Sequence, residues 1–203
     1  MNKVSETQDA SYDHSSYSNS THRTVSTLEL IAYHEAAHAV TSVIFNNSIK
    51  MEYVTIIPMT HYDFLSAGHL FLEKHPFEAP HSLDKVRDTI VMVMAGPIAW
   101  NRVLGKDRLV LEKNGEPLKK WPNFHDASLI HQLSLYSVEE REYHGYTPRQ
   151  LERQRKAFLE HCKIVAKDFV DLHWEMITFV AVQLVEHKTL TQEQVEEIMI
   201  QSC

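Results

Sequence analysis

The strongest constraint in this 203-residue chain lies in residues 26–45. Ser26-Thr27-Leu28-Glu29 has the spacing of a capping box, in which serine and glutamate satisfy each other's free backbone N–H groups. The run that follows, to Phe45, is mostly apolar and predicts a buried helix that Asn46-Asn47 ends. Yet it carries three ionisable groups within five positions, His34-Glu35-Ala36-Ala37-His38. Burying such groups is costly unless they are paired or hold a metal.

Two histidines four residues apart lie on one helix face, so both imidazoles can reach a single Zn2+. Glu35 projects beside them, where it can take a proton from an attacking water. A metal there would acidify that water and polarise a scissile carbonyl. With 14 histidines in the chain, chance alone supplies this pattern roughly 0.08 times, so its context matters. That context is a capped apolar helix whose Ala32, Ala36, Ala37 and Ala39 allow close packing around a site. The plain alternative is a pair of satisfied histidines on a buried helix.

A catalytic zinc takes three protein ligands and keeps one position open. The candidates for the third are His61, His69, His75, His81, His125, Asp126 and His131. The four histidines at 61–81 fall in or beside loops and short strands, where exposure to solvent is the favoured reading for all four and a place near the site for one of them is the alternative. Asp126 falls in the first turn of a predicted helix, where a carboxylate is stabilised. From spacing alone it serves equally well as a helix cap or as a ligand.

The remaining chain reads as a frame for that helix. Residues 1–25 are rich in Ser, Thr, Asn and Asp and predict a flexible tail, with His14 and His22 solvated in it. Residues 26–203 read as one domain. Met51–Pro58 is β-branched and alternating and predicts a strand that Pro58 stops. A second strand near Ala67–Leu72, after a loop over Met59–Ser66, completes a hairpin. Ser82–Leu104 predicts a long helix, with a kink or break at Gly96-Pro97 and Gly105 just past its end. Residues 106–122 read as a loop, and Asn123–Ser137 as a third helix. Thr147-Pro148 opens a helix that runs to about Glu186 with a bend near His173. Thr191-Gln192-Glu193-Gln194 opens a last short helix to about Ile200. The expected fold is α+β, mostly helical, with one small hairpin.

Composition excludes some classes. At 43% apolar and 23% charged residues the chain is neither disordered nor fibrous, and only 5 glycines argue against a loop-rich all-β design. A net charge of −7 lacks the basic footprint of a nucleic-acid binder. No apolar run is long enough for a transmembrane helix, and no secretory signal is recognisable. Cys162 and Cys203 are few and far apart, which fits the cytoplasm or another reducing soluble compartment. Cys162 reads as a core residue, Trp100, Trp121 and Trp174 as core or loop anchors. Arg149, Arg153, Arg155 and Lys156 read as a solvated basic face.

Tyr33-His-Glu-Ala-Ala-His-Ala-Val40 resembles the zinc motif of the FtsH-type metallopeptidases. Val54-Thr-Ile-Ile-Pro58 is similar to the strand that follows the zinc helix in that family, and Ala95-Gly-Pro-Ile-Ala99 to its glycine-containing helix. Asn123-Phe-His-Asp126 resembles the segment ending in the family's third zinc ligand, and Gln183–Thr191 its C-terminal stretch. These pieces occur in the family's order over about Ser26 to Ile200. The chain departs from the family at Ala37, where glycine is usual, and at Pro97 and Trp100. No phosphate-binding GxxxxGK[ST] loop occurs in these 203 residues, and no membrane anchor is expected before the domain.

The resemblance implies an FtsH-like peptidase domain standing alone, without the ATPase module. It implies Zn2+ held by His34, His38 and Asp126, with Glu35 as general base. The expected activity is ATP-independent hydrolysis of peptide bonds in unfolded proteins or peptides. The polypeptide substrate would lie along the edge strand near Ala67–Leu72, by backbone pairing. The alternatives are a weakly active or inactive peptidase-like adaptor that only binds, and a metallohydrolase acting on something other than peptides.

Overall fold

The computed structural model describes residues 25–45, 50–61, 64–66, 68–73, 82–106, 112–113, 116–117, 124–142 and 145–202. Residues 1–24 of the predicted 1–25 tail, with His14 and His22, the Asn46-Asn47 stop, His75, His81, Trp121 and Cys203 lie outside these residues. The described chain is mostly helical, with a small three-stranded antiparallel sheet.

Helix α1 spans Thr27–Phe45. Its capping box forms as expected: the Ser26 N–H donates to Glu29 Oε2 at 2.8 Å, and the Glu29 N–H to Ser26 Oγ at 3.2 Å. Apolar or small residues surround the helix axis, so α1 is buried on nearly every side and not along one stripe. Ala32, Ala36, Ala37 and Ala39 are wholly buried, and their short side chains let neighbouring elements approach.

Strand β1 (Met51–Thr55) pairs with β4 (His69–Leu72), as the hairpin reading requires, with Val54 opposite Leu70 and Thr55 opposite His69. The connection predicted as a loop instead forms its own hairpin, β2 (Met59–His61) with β3 (Phe64–Ser66). The other edge of β1 pairs with β7 (Thr189–Thr191), giving the order β4-β1-β7. Three residues are too few to show a strand period, so β7 left no mark in the sequence.

Helix α2 (Leu83–Val103) runs unbroken through Gly96-Pro97, where a kink or break was expected. Pro97 removes one backbone donor, but it and Gly96 are buried and Ile98 is partly buried, and packing holds the helix together. The predicted loop at 106–122 includes the two-residue strands β5 (Glu112–Lys113) and β6 (Glu116–Pro117). Helix α3 covers Phe124–Glu142. The long helix expected from Thr147 is two helices, α4 (Pro148–Leu172) and α5 (Trp174–His187), meeting at His173. Both capping boxes, at Thr147 with Gln150 and at Thr191 with Gln194, are formed, the second opening α6 (Gln192–Gln201).

Two apolar clusters meet across α1 and α2. One gathers the α1 alanines, Val54 and Ile56 with Ile177 and Leu184 of α5. The other joins Ile90 and Val91 of α2 to Ile130 and Leu133 of α3 and Cys162 and Ala166 of α4. Each fully buried Ile or Leu contributes about 1.5–3 kcal/mol relative to exposure. Cys162 is a core residue as read, and burial pushes its thiol up to about 12, so it is unreactive.

The basic face on α4 needs correction. Arg149, Arg153 and Lys156 are exposed, but Arg155 is 3% exposed. Its guanidinium donates to Glu152 from Nε at 2.9 Å and to the Ser134 hydroxyl from Nη1 at 3.0 Å, tying α4 to α3.

Candidate metal centre

Helical spacing turns His34 and His38 of α1 toward the same side, and α3 brings Asp126 to them from its first turn. The two Nε2 atoms are 3.0 Å apart. Asp126 Oδ2 lies 3.1 Å from His34 Nε2, and Oδ1 lies 3.7 Å from His38 Nε2. All three residues are buried. Their ligand atoms form a group, within 4.8 Å of one another, that can hold a metal ion.

The neighbours fix this arrangement. His38 Nδ1 donates to the Met92 carbonyl of α2 at 2.8 Å. A carbonyl only accepts, so the His38 proton sits on Nδ1 and the lone pair of Nε2 faces His34 and Asp126. A hydrogen bond of this kind is how metal-binding histidines are oriented. The Trp100 ring stands edge-on to His34, at 6.2 Å between centroids. His34 Nδ1 is buried without a hydrogen-bond partner.

Glycines supply the room. A Cβ on Gly96 would fall 2.4 Å from His38 Nε2, and one on Gly68 would fall 2.7 Å from Glu35 Cγ. Gly96 is thus a clearance for the imidazole, not a hinge. Neither role is readable in the chain, because a missing methyl group matters only once its tertiary neighbour is known.

Electrostatics in the metal-free cluster follow from burial and mutual charge. Burial alone would lower His34, but the charge and hydrogen bond of Asp126 outweigh it and hold the imidazole above its ordinary value. Burial would raise Asp126, yet His34, His38 and His125 together hold it low. His38 falls to about 4, chiefly through burial. Glu35, 6% exposed, is pushed up to about 8 by burial.

The donor set fits zinc. It has two imidazole nitrogens and one carboxylate, with no thiolate, the three-ligand count that leaves a tetrahedral ion one position open. Tetrahedral zinc with Zn–N bonds of ~2.0–2.1 Å separates two ligand nitrogens by about 3.3 Å, close to the observed spacing.

Of the other candidate ligands, His69 of β4 and His125 of α3 flank the group, with ring centroids 6.0 Å apart, but stand outside it. His125 is exposed and His131 is half-buried elsewhere on α3. The His61 side chain lies outside the described residues. No helix among the described residues is long and apolar enough to cross a membrane. No protein-family model matches the chain, and no curated protein is significantly similar to it.

Proposed function

We propose that this chain is a zinc-dependent, ATP-independent metallopeptidase domain of the FtsH type, with His34, His38 and Asp126 as ligands and Glu35 as general base. One observation carries the reading. Two histidines and an aspartate converge in a buried group, while a fourth ionisable side chain, Glu35, is buried beside them without belonging to the group. A purely structural metal site has no use for that extra carboxylate.

Bound zinc would supply a Lewis acid that polarises the scissile carbonyl and acidifies water. The protein does the rest. Met92 holds His38 in the tautomer that leaves Nε2 free. Glu35 takes the proton of the attacking water and passes it to the leaving amine. In the metal-free protein burial holds its carboxyl well above the ordinary value; a bound dication beside it would favour the ionised form that accepts a proton. Among the described residues, β4 is an edge of the main sheet, and Gly68 at its start abuts Glu35. An extended peptide paired to that edge would pass the base, and backbone pairing would tolerate many sequences.

Metal analysis and turnover of an unfolded protein such as casein test this. We expect one zinc per chain, activity in the wild type, and a fall of about 10²–10⁴ in Glu35→Gln with zinc retained. Equal rates in both proteins, with zinc confirmed, would refute the mechanism. Zinc without wild-type turnover would instead favour the binding module.

A further inference from the structure

We infer that Trp100 is the positioning residue that orients His34 for the metal, a packed ring standing where the other ligand histidine has a hydrogen bond; this rests on the metal-ligand reading of His34 above. A ligand imidazole is held by what its second nitrogen and its ring faces touch. For His38 that is the Met92 carbonyl, at Nδ1. His34 Nδ1 is buried too, and it has no hydrogen-bond partner. In the metal-free cluster Asp126 steadies His34 through Nε2, at 3.1 Å. A metal held by both groups takes over that nitrogen and that carboxylate, so this bond is lost on loading. The ring must then be fixed from its sides.

Two rings flank it. His38 stands across it at 4.6 Å between centroids and 84° between planes, and Trp100 at 6.2 Å and 86°. Both distances lie in the range where aromatic rings attract edge to face. His38 is itself a ligand, so Trp100 is the wall that comes from outside the group. It is 7% exposed, in the last turn of α2, and so is held in the core. Its place follows from helix periodicity. Met92, Gly96 and Trp100 are four residues apart and share one face of α2. Met92 holds His38, and Gly96 clears room for it. One turn further on, the same face meets His34, which is one turn from His38 on α1. There α2 carries the bulkiest side chain instead of none. A small residue opposite His34 would leave this ring with neither a hydrogen bond at Nδ1 nor a wall.

The experiment measures zinc affinity by chelator competition on the full chain, with the thermal midpoint of each zinc-free protein, in wild type, Trp100→Phe, Trp100→Met and Val86→Ala. Trp100→Met keeps much of the volume without a ring, and Trp100→Phe keeps a smaller ring. Val86, 3% exposed, is buried on the same helix about 21 Å along its axis from Trp100. We expect zinc to bind about 10–100-fold more weakly in Trp100→Met, as when an orienting neighbour of a ligand is lost, with Trp100→Phe in between. Val86→Ala should lower the midpoint and leave zinc affinity near wild type. Wild-type zinc affinity in either Trp100 variant would overturn the assignment. So would a Val86→Ala protein that weakens zinc as far as a Trp100 variant of the same midpoint, because affinity would then follow stability alone. A wild type that binds no zinc overturns this role and the metallopeptidase reading together. Zinc binding without peptide turnover in the wild type overturns the peptidase reading alone, and the order of zinc affinities still decides the role of Trp100.

Discussion

Gly96 and His38 share one volume: a methyl group on the glycine would sit 2.4 Å from the imidazole Nε2. Alanine is the better helix former by about 1 kcal/mol, so an unconstrained Gly96→Ala would stabilise α2. Here the neighbour is a ring pinned at Nδ1 by Met92, and it cannot step aside without losing that bond. Gly96→Ala should lose most bound zinc and lower the thermal midpoint. Metal analysis with calorimetry checks this, and full zinc with a raised midpoint would refute the packing argument.

Gly68→Ala should behave differently. The added carbon would meet the Glu35 side chain at 2.7–2.9 Å, and that side chain is flexible. Glu35 can shift while His34, His38 and Asp126 stay in place. Zinc content should remain near wild type while turnover drops at least about tenfold, the cost of misplacing a general base. Parallel loss of zinc would show that Glu35 supports the ligands structurally.

Glu35 also sets a pH dependence in the zinc-free protein. Its folded value of about 8 stands above the ordinary 4.5, so between these values the folded state holds a proton the unfolded state has lost. The contribution of this group to stability therefore declines as pH rises through that window. Glu35→Gln abolishes the decline. Chelator-treated Glu35→Gln should gain stability over wild type, and the gain should be larger at about pH 8 than at about pH 5. Thermal melts at both values measure it; a gain that shrinks with pH would contradict the burial of this carboxyl.

Arg155→Ala leaves Ser134 and Glu152 without their shared donor in the seam between α3 and α4. A charged hydrogen bond of this kind is worth about 1.5–3 kcal/mol, lessened here because Glu152 is partly exposed. Arg153→Ala, two residues away on the opposite, exposed face of α4, should cost within about 0.5 kcal/mol. Denaturant unfolding of the two variants separates them, and equal midpoints would restore the solvated reading.

The contrast between these arginines shows what the sequence could carry. Local chemistry was legible: Ser26 with Glu29, Thr147 with Gln150 and Thr191 with Gln194 each cap the helix their spacing announced. The pairing of His34 with His38 is likewise local, since a helix enforces it. Asp126 was undecided from spacing, because its position suits a cap and a ligand alike; the tertiary approach of α3 to α1 turns its carboxylate to the histidines. Arg155 looks like its exposed neighbours until the seam between α3 and α4 exists. Gly96 next to Pro97 signals a break by every local rule, and burial overrides it.

The two outer strands of the main sheet are unequal as templates. β7 has only three residues and is clamped directly between α5 and α6, with Lys188 in the left-handed conformation on one side and the Thr191 cap on the other. A strand so short and so tethered at both ends offers an incoming chain little to zip onto. β4 has no helix fused to either end among the described residues. On the proposed peptidase reading the sheet's two margins are therefore unequal before any side chain is read: the margin beside Glu35 is the one left for an extended segment to pair with, and the ends of two helices flank the opposite margin.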